Sequence, residues 1–507
     1  MDQKIAIIDL GSNSVRMNLM AINERGGYGI HDSAKEMVRL SEGLEKDNML
    51  KPRPMERTIK AMAYFKKLIE INEVEEIHVL CTAAVRQADN REVFIERVKA
   101  QVGLDLRVLS GEEEAYYDYL GVINAMDLED ALIIDIGGAS TEIIWVKDRR
   151  LEKSVSLPYG SVNLTDRFAS IKDQERRYRQ AELFMKKTIK GLDWIKKTKK
   201  LPIIGLGGSI RALGKVDRNR NGFPIRNLHN YRMTAREVQE IFEMIGQKNE
   251  KDLSQIEGIN SKRADVIALG LMPLKALLSI VKSSEMRISG NGLRDGYFYK
   301  TYFERRQWPL VVEDVLEHSI MNLINRFGVQ KEHAHQVKNI ALSLFDQTRT
   351  IHDFGESHRR VLKVASLVHD IGMHIDYYDH HIHGMYLLLY GKIHGLSNFE
   401  QIAVAYLVGN HRRDEIKNPL EEYRGIFTPV DREIYAKLGI FLKMAEQLDR
   451  SLSSNVKNIE VEIKKDVALL HLYGEEYPEL DILSALYYAP LFKKQFNMEL
   501  EILYAGA

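Results

Sequence analysis

The residues best suited to chemistry lie in Leu132–Glu142, which reads LIIDIGGASTE: an apolar run ending on Asp135, then Gly137 and Gly138, the hydroxyls Ser140 and Thr141, and a second acid, Glu142. An apolar run bounded by glycine reads as a buried strand with Asp135 near its end. Glycines let backbone N–H groups approach an anion closely and the hydroxyls add donors, so the turn suits a phosphate group. Asp135 and Glu142 flank it with carboxylates able to hold a hydrated Mg²⁺ on phosphate oxygens. One such loop is weak evidence, because a glycine turn between strands is more often only a hairpin. Ile5–Ser14, IAIIDLGSNS, repeats the plan: Asp9 at a strand end, able to share the metal, then Gly11, Ser12, Asn13 and Ser14. Independent hairpins have no reason to share that pattern, so the pair points to a phosphate cleft built from two loops. Arg16 follows the first loop, and its guanidinium suits a phosphoryl oxygen.

Further polar groups stand at the ends of other expected elements. A short strand at Ile77–Cys81 runs into TAAVRQADN, which places Thr82 and Arg86 toward the cleft. Val108–Gly111 hands over to EEEAYYDYLG, a helix opening on Glu112, Glu113 and Glu114. Acids in a first turn ordinarily complement the helix dipole, and that reading suffices for Glu112 and Glu113. Glu114 stands apart, on the face of Tyr117, Asp118 and Gly121. The strand Pro202–Gly205 leads into a third glycine loop, Gly207, Gly208 and Ser209.

The paired loops are similar to those of the sugar kinase and actin superfamily, in which two related domains face each other across a nucleotide cleft. The ordered set DLGSNSVR, TAAVRQADN, SGEEEAYYDYLG, DIGGASTE, GLGGSIRAL and SGNGLRDG resembles the exopolyphosphatase/guanosine pentaphosphate phosphatase family over about residues 4–300. The resemblance implies an α/β fold of two actin/sugar-kinase-like (ribonuclease H-like) domains around a cleft, with Mg²⁺ as cofactor. It implies Glu114, the residue before the alanine of SGEEEA, as the catalytic carboxylate. The implied substrate is inorganic polyphosphate, with guanosine pentaphosphate as the alternative, and the implied assembly is a homodimer. One departure stands out: the family's loop reads DIGGGST, and here the third glycine is Ala139. An alanine would be strained there by roughly 1 kcal/mol if the position needed a positive φ.

The elements that must position these groups follow from pattern and length. Arg57–Ile71 reads as an amphipathic helix and Leu151–Leu157 as a strand. The expected division is 1–124 and 125–302 for the two cleft domains, 303–455 for a helical domain beginning near Pro309, and 456–507 for a small β-rich subdomain. Lys186–Lys200 reads as a lysine-rich helical stretch, either a solvated face or, with Arg211, Lys215, Arg218, Arg220 and Arg226, a track for a polyanion. Lys+Arg and Asp+Glu both number 72, so no global pull on nucleic acid is expected. Cys81 is the only cysteine, which excludes an internal disulfide and fits a reducing, cytoplasmic setting. No apolar run approaches a membrane span.

The helical region carries His335, the pair His369–Asp370, His383, His411 and Asp449. This series resembles the HD family of metal-dependent phosphohydrolases, in which His and Asp from separate helices converge on divalent ions. The resemblance implies His335, His369, Asp370 and Asp449 as primary ligands, with His383 and His411 for a second ion. A sugar-type kinase would share both phosphate loops, and a nucleotide-sensing protein would use the same cleft without turnover.

Overall fold

The computed structural model describes residues 2–412 and 420–506. They form two compact units, one of Met1–Ile22 and Tyr28–Val315, the other of Asn23–Gly27 and Leu316–Ala507.

Two sheets of related topology organise the first unit. The first joins β1 (Gln3–Leu10), β2 (Ser14–Ile22), β3 (Tyr28–Met37), β4 (Glu76–Cys81) and β5 (Leu106–Val108) in the order β3-β2-β1-β4-β5. The second joins β6 (Ala131–Ile136), β7 (Thr141–Lys147), β8 (Arg150–Leu157), β9 (Ile203–Gly207), β10 (Tyr231–Thr234) and β11 (Glu285–Ile288), ordered β10-β11-β9-β6-β7-β8. In each, two hairpin-linked antiparallel pairs precede a parallel neighbour, β4 on β1 and β9 on β6, which is the duplicated α/β plan expected from the paired loops. Ile5, Ile7 and Ile8 of β1 and Ile133 and Ile134 of β6 are fully buried, which explains their unbroken apolar runs. Each contributes about 1.5–3 kcal/mol by leaving water, and together they fix the strand ends from which Asp9 and Asp135 project.

The helix Gly111–Ile123 carries Glu114. Ser110 caps it: its hydroxyl accepts from Glu113 N at 3.0 Å, and the Glu113 carboxylate accepts from Ser110 N at 2.9 Å. The helix packs on β7, β8 and the helix Leu293–Arg306. The two helices cross at glycines, where a Cβ on Gly296 would press into the Tyr117 carbonyl and lie 2.8 Å from Gly121 N. The core beneath draws Ile5, Ile7 and Leu80 from the first sheet and Ile133, Ile144 and Ile204 from the second. The catalytic-helix candidate thus rests on hydrophobic packing shared by both sheets.

The Lys186–Lys200 stretch differs from the single helix expected. The helix Gln174–Lys190 stops at Gly191, and a separate 3₁₀ turn covers Ile195–Thr198. Lys186 is paired with Glu182 at 2.6 Å.

The second unit is mainly helical. Lys331–Gln347, Glu356–Val368, His380–Tyr390, Asn398–Gly409 and Pro429–Gln447 pack on one another through apolar stripes such as Ala334, Val337, Ala341 and Leu344. At the tail, β12 (Asn458–Lys464) and β13 (Val467–Tyr473) form the expected hairpin. The third strand, β14 (Glu499–Gly506), runs parallel to β13, so a crossover is needed, and the short helices Glu479–Leu486 and Ala489–Phe496 supply it. No helix among the described residues is long and apolar enough to cross a membrane.

Candidate active site and a histidine cluster

The two phosphate-loop candidates have the same local geometry. Gly11 N donates to Ser14 O at 3.2 Å, and Gly137 N donates to Ser140 O at 3.0 Å. On the ladders beside them Asp9 pairs with Arg16 and Asp135 with Glu142. The loops press together: a Cβ on Gly138 would lie 2.8 Å from Ser12 Cβ and 3.3 Å from Asn13 N. Ala139 is buried and is not among the residues with positive φ, nor are Gly137 and Gly138, so the alanine costs no backbone strain. The third loop does need glycine. Gly207 has φ of 91°, and a Cβ there would lie 2.7 Å from Asp135 Oδ1.

These loops enclose one polar cavity of about 120 Å³. Asp9, Gly11, Ser12, Asn13, Ser14, Arg16, Glu114, Asp135, Gly137, Gly138, Ser140, Gly207 and Gly208 all line it, as the sequence leads one to expect. Four expected residues stand elsewhere. Thr141, on the first residue of β7, donates its hydroxyl to Tyr159 O at 2.6 Å. Ser209 is buried with its Oγ toward Gly270. Glu142 accepts from Ser156 Oγ at 2.7 Å instead of facing the cavity. Arg86 donates to Glu114 Oε2 at 2.8 Å and to Leu109 O at 3.0 Å, so its guanidinium is engaged by the acid.

Charge is concentrated around the cavity. Burial pushes the Glu114 carboxyl up to about 7, against the opposing pull of the Arg86 guanidinium. Burial likewise raises Asp135 to about 6, although Arg211 and Arg16 oppose it. Asp118 and Glu142 are raised well above the ordinary carboxylate range, by burial first and then by neighbouring acids. On the cationic side Arg211, Arg263 and Arg294 join Arg16 in lining the cavity. Burial and then the Arg16 charge hold Arg211 down to about 9, and the same causes bring Arg263 to about 10. Lys35 is lowered to about 8 by burial, then by Arg16, Arg263 and Arg211. So many guanidiniums in a small space call for an anion with several charges.

The acids in turn suit a cation. Asp135 Oδ1 and both Asp118 carboxylate oxygens are buried without a hydrogen-bond partner among the described residues. The close three-ligand groups among the described residues lie elsewhere, so an ion here would depend on phosphate oxygens and water for its remaining ligands. That is the ordinary habit of Mg²⁺.

Asp118, Arg263, Arg294 and Lys35 were not singled out as site residues from sequence. Asp118 had a signal, since it lies one helical turn beyond Glu114, and Arg294 lies inside the SGNGLRDG motif. Arg211, expected on a polyanion track, belongs instead to the cavity wall.

In the second unit, His369, Asp370 and His411 do come together, with three corrections. Asp449, expected as a ligand, lies outside both close groups: its Oδ1 accepts from Ser454 N at 2.9 Å and its Oδ2 meets His333 Nδ1. His333, not His335, enters the cluster: its Nδ1 lies 2.7 Å from Asp449 Oδ2 and its Nε2 is 3.3 Å from His369 Nε2. His333 and His335 differ by about 200° around their helix, and the buried stripe faces the His333 side. His380, not His383, supplies the other imidazole, with Nε2 3.3 Å from Asp370 Oδ1 and 3.1 Å from His411 Nε2. Two three-residue groups therefore share Asp370: His333, His369 and Asp370, and Asp370, His380 and His411. The Nδ1 atoms of His369, His380 and His411 lie 2.8, 2.8 and 2.5 Å from the carbonyls of Ser366, Tyr377 and Val408, which aims each Nε2 inward.

A profile of the Ppx/GppA phosphatase family matches residues 23–303, over half of the chain. The chain belongs to the Ppx/GppA phosphatase family. A profile for domain III of Ppx/GppA phosphatases covers residues 315–479. Among relatives, the guanosine-5'-triphosphate,3'-diphosphate pyrophosphatase of Pseudoalteromonas atlantica is 30% identical over 427 residues, 81% of this chain and 80% of the relative. The enzyme of the same name from Aeromonas hydrophila is 28% identical over 428 residues, 82% of each chain. A Ppx/GppA structure from Aquifex aeolicus, 29% identical, aligns with 60% of this chain and 99% of its own at a TM-score of 0.52. An exopolyphosphatase structure from Cytophaga hutchinsonii, 22% identical, shares the fold over 61% of this chain and all of its own, with a TM-score of 0.56. Ppx/GppA phosphatases are phosphoanhydride hydrolases, and the arginine-walled cavity with its buried acid is the part of this fold suited to that reaction.

Proposed function

We propose that the cleft hydrolyses the terminal phosphoanhydride of inorganic polyphosphate and releases orthophosphate. The observation that carries this reading is a buried carboxyl poised near neutrality, Glu114, in the same small cavity as Arg16, Arg211, Arg263 and Arg294. A cavity of about 120 Å³ leaves room for a terminal phosphoryl group. The two loops and the guanidiniums would hold its oxygens. A water oxygen then attacks phosphorus in line, its proton goes to Glu114, and the bridging P–O bond breaks with its electrons on the departing chain. Asp9 and Asp135 would hold Mg²⁺, which would neutralise charge on the phosphate oxygens.

The test is phosphate release measured side by side on long-chain polyphosphate, tripolyphosphate and guanosine pentaphosphate, without an acceptor for phosphoryl transfer. Release from polyphosphate is expected; binding without release would point to a sensor, and release only when an acceptor is added to a kinase. The names of relatives that match four-fifths of the chain favour guanosine pentaphosphate as the second reading. A clear preference for that substrate in the same assay would make it the first.

Four outcomes follow from the roles assigned here. Only ionised Glu114 can accept a proton, so kcat/KM should rise as pH passes upward through about 7. Arg86→Gln removes the charge that opposes burial and should move that rise to higher pH by about 1–2 units; an unmoved profile would take Arg86 away from Glu114. Asp135→Asn should raise the Mg²⁺ needed for half-maximal rate by about an order of magnitude, the loss of a short-range charge pair, and an unchanged titration would remove Asp135 from the metal. In the helical cluster Asp370 belongs to both close groups and would help to hold a divalent ion in each, so Asp370→Ala should strip bound ions from the purified protein by elemental analysis. Full ion content in that variant would remove Asp370 from the ligands.

A further inference from the structure

The second unit has a hollow that phosphoanhydride hydrolysis in the cleft does not use. It measures about 510 Å³ and is lined by Arg412, Arg450, Leu483, Ser484, Tyr487 and Tyr488, among others. We propose that it binds a nucleoside phosphate, with the phosphate between Arg412 and Arg450 and the base on Tyr487.

The cationic end is built by the fold. Arg412 is held by Glu446, whose Oε1 accepts from its Nε at 3.2 Å, and its guanidinium lies 5.6 Å from the Tyr377 ring centre. The backbone carbonyl of Arg412 accepts from the Tyr488 hydroxyl at 3.3 Å. The Tyr377 hydroxyl faces both guanidiniums, which sets the two forks side by side at the pocket. Planar forks of N–H donors match phosphate oxygens well.

The other end is apolar and open. Tyr487 is 80% exposed and Leu483 62%, large surfaces to leave in water beside a cationic pocket. A flat aromatic ligand would cover them by stacking, and Ser484 offers a hydroxyl to its edge. Inorganic phosphate would satisfy the arginines and leave the tyrosine bare; an uncharged ring would do the reverse. Only a molecule with both parts uses the whole pocket.

Position adds a further point, which rests on reading the histidine cluster as an ion centre. Arg412 follows His411, a member of one group, and Arg450 follows Asp449, which holds His333 of the other, so the anion fork is anchored beside the cluster. A phosphate held there would stand near any ion that the cluster binds.

The experiment is calorimetric titration of the full-length, Mn²⁺-loaded protein with guanosine monophosphate, guanosine and inorganic phosphate. Guanosine monophosphate is expected to bind at least tenfold more tightly than either fragment. Arg450 and Tyr487 are both exposed, so their substitution leaves the core intact. Arg450→Ala and Tyr487→Ala should each weaken that binding at least fivefold, with phosphate release from polyphosphate unchanged within twofold. Absence of saturable binding, affinity within twofold of wild type in both variants, or inorganic phosphate binding as tightly as the nucleotide would each overturn the proposal. Mn²⁺ content, counted on the same samples, separates the two readings: nucleotide binding that depends on Arg450 in protein without bound Mn²⁺ supports the pocket and removes the ion centre alone.

Discussion

Glu114→Gln is expected to lower kcat for phosphate release by about 10²–10⁴-fold, the range for a positioned general base, while the protein still folds and binds substrate. The side chain keeps its shape, and the amide oxygen can still accept from Arg86 Nη1, which now lies 2.8 Å from the carboxylate. What disappears is the capacity to take a proton. Because the acid is buried among Asp9, Asp135 and other carboxylates, replacing it with a neutral amide should leave the melting temperature equal or raise it. The rate that remains should also lose its rise through pH 7. Turnover near the wild-type level would move the base elsewhere. Glu113 is a poor substitute, since its carboxylate is engaged by Ser110 N at 2.9 Å and by Arg107 at 2.6 Å.

The largest effect on stability is expected at Gly296. The helix Leu293–Arg306 meets Gly111–Ile123 backbone to backbone, and a side chain at Gly296 would occupy the space of the Tyr117 carbonyl. That atom belongs to a hydrogen-bonded helix and cannot swing aside like the tip of a lysine. Gly296→Val should therefore force the helices apart and cost at least about 3 kcal/mol. For a domain somewhat smaller than this unit such a loss lowers Tm by roughly 6–12 °C. Gly246→Ala serves as the opposite control: a Cβ there meets nothing within 4 Å, so the change should be neutral or stabilising by up to about 1 kcal/mol. Equal melting temperatures for the two variants would show that the crossing is not tight. Activity in surviving Gly296→Val protein should fall as well, because the displaced helix carries Glu114.

The strand-end loops were legible because everything that makes them is local: an apolar run, an acid, glycines and hydroxyls within ten residues. Arg263 and Lys35 were not, because each is an ordinary cation in its own segment and meets the cavity charges only through the folded chain. His333 against His335 is a different case. The stripe Ala334, Val337, Ala341 and Leu344 already marks which side of the helix is buried, and it excludes His335. There the information lies in the spacing of the apolar residues, and the spacing of the histidines alone does not carry it. The lysine run misled in the opposite sense, since a shared composition spans a helix, a glycine stop and a 3₁₀ turn.

The ladder pairs beside the two loops carry one more consequence. Asp9 faces Arg16 across the first hairpin, and the corresponding Asp135 faces Glu142 across the second. Arg16 lines the cavity, whereas Glu142 is turned to Ser156. The matched position therefore speaks to the cleft from one side only: the first hairpin meets an incoming anion with a cation, and the second meets it with backbone and hydroxyl donors alone.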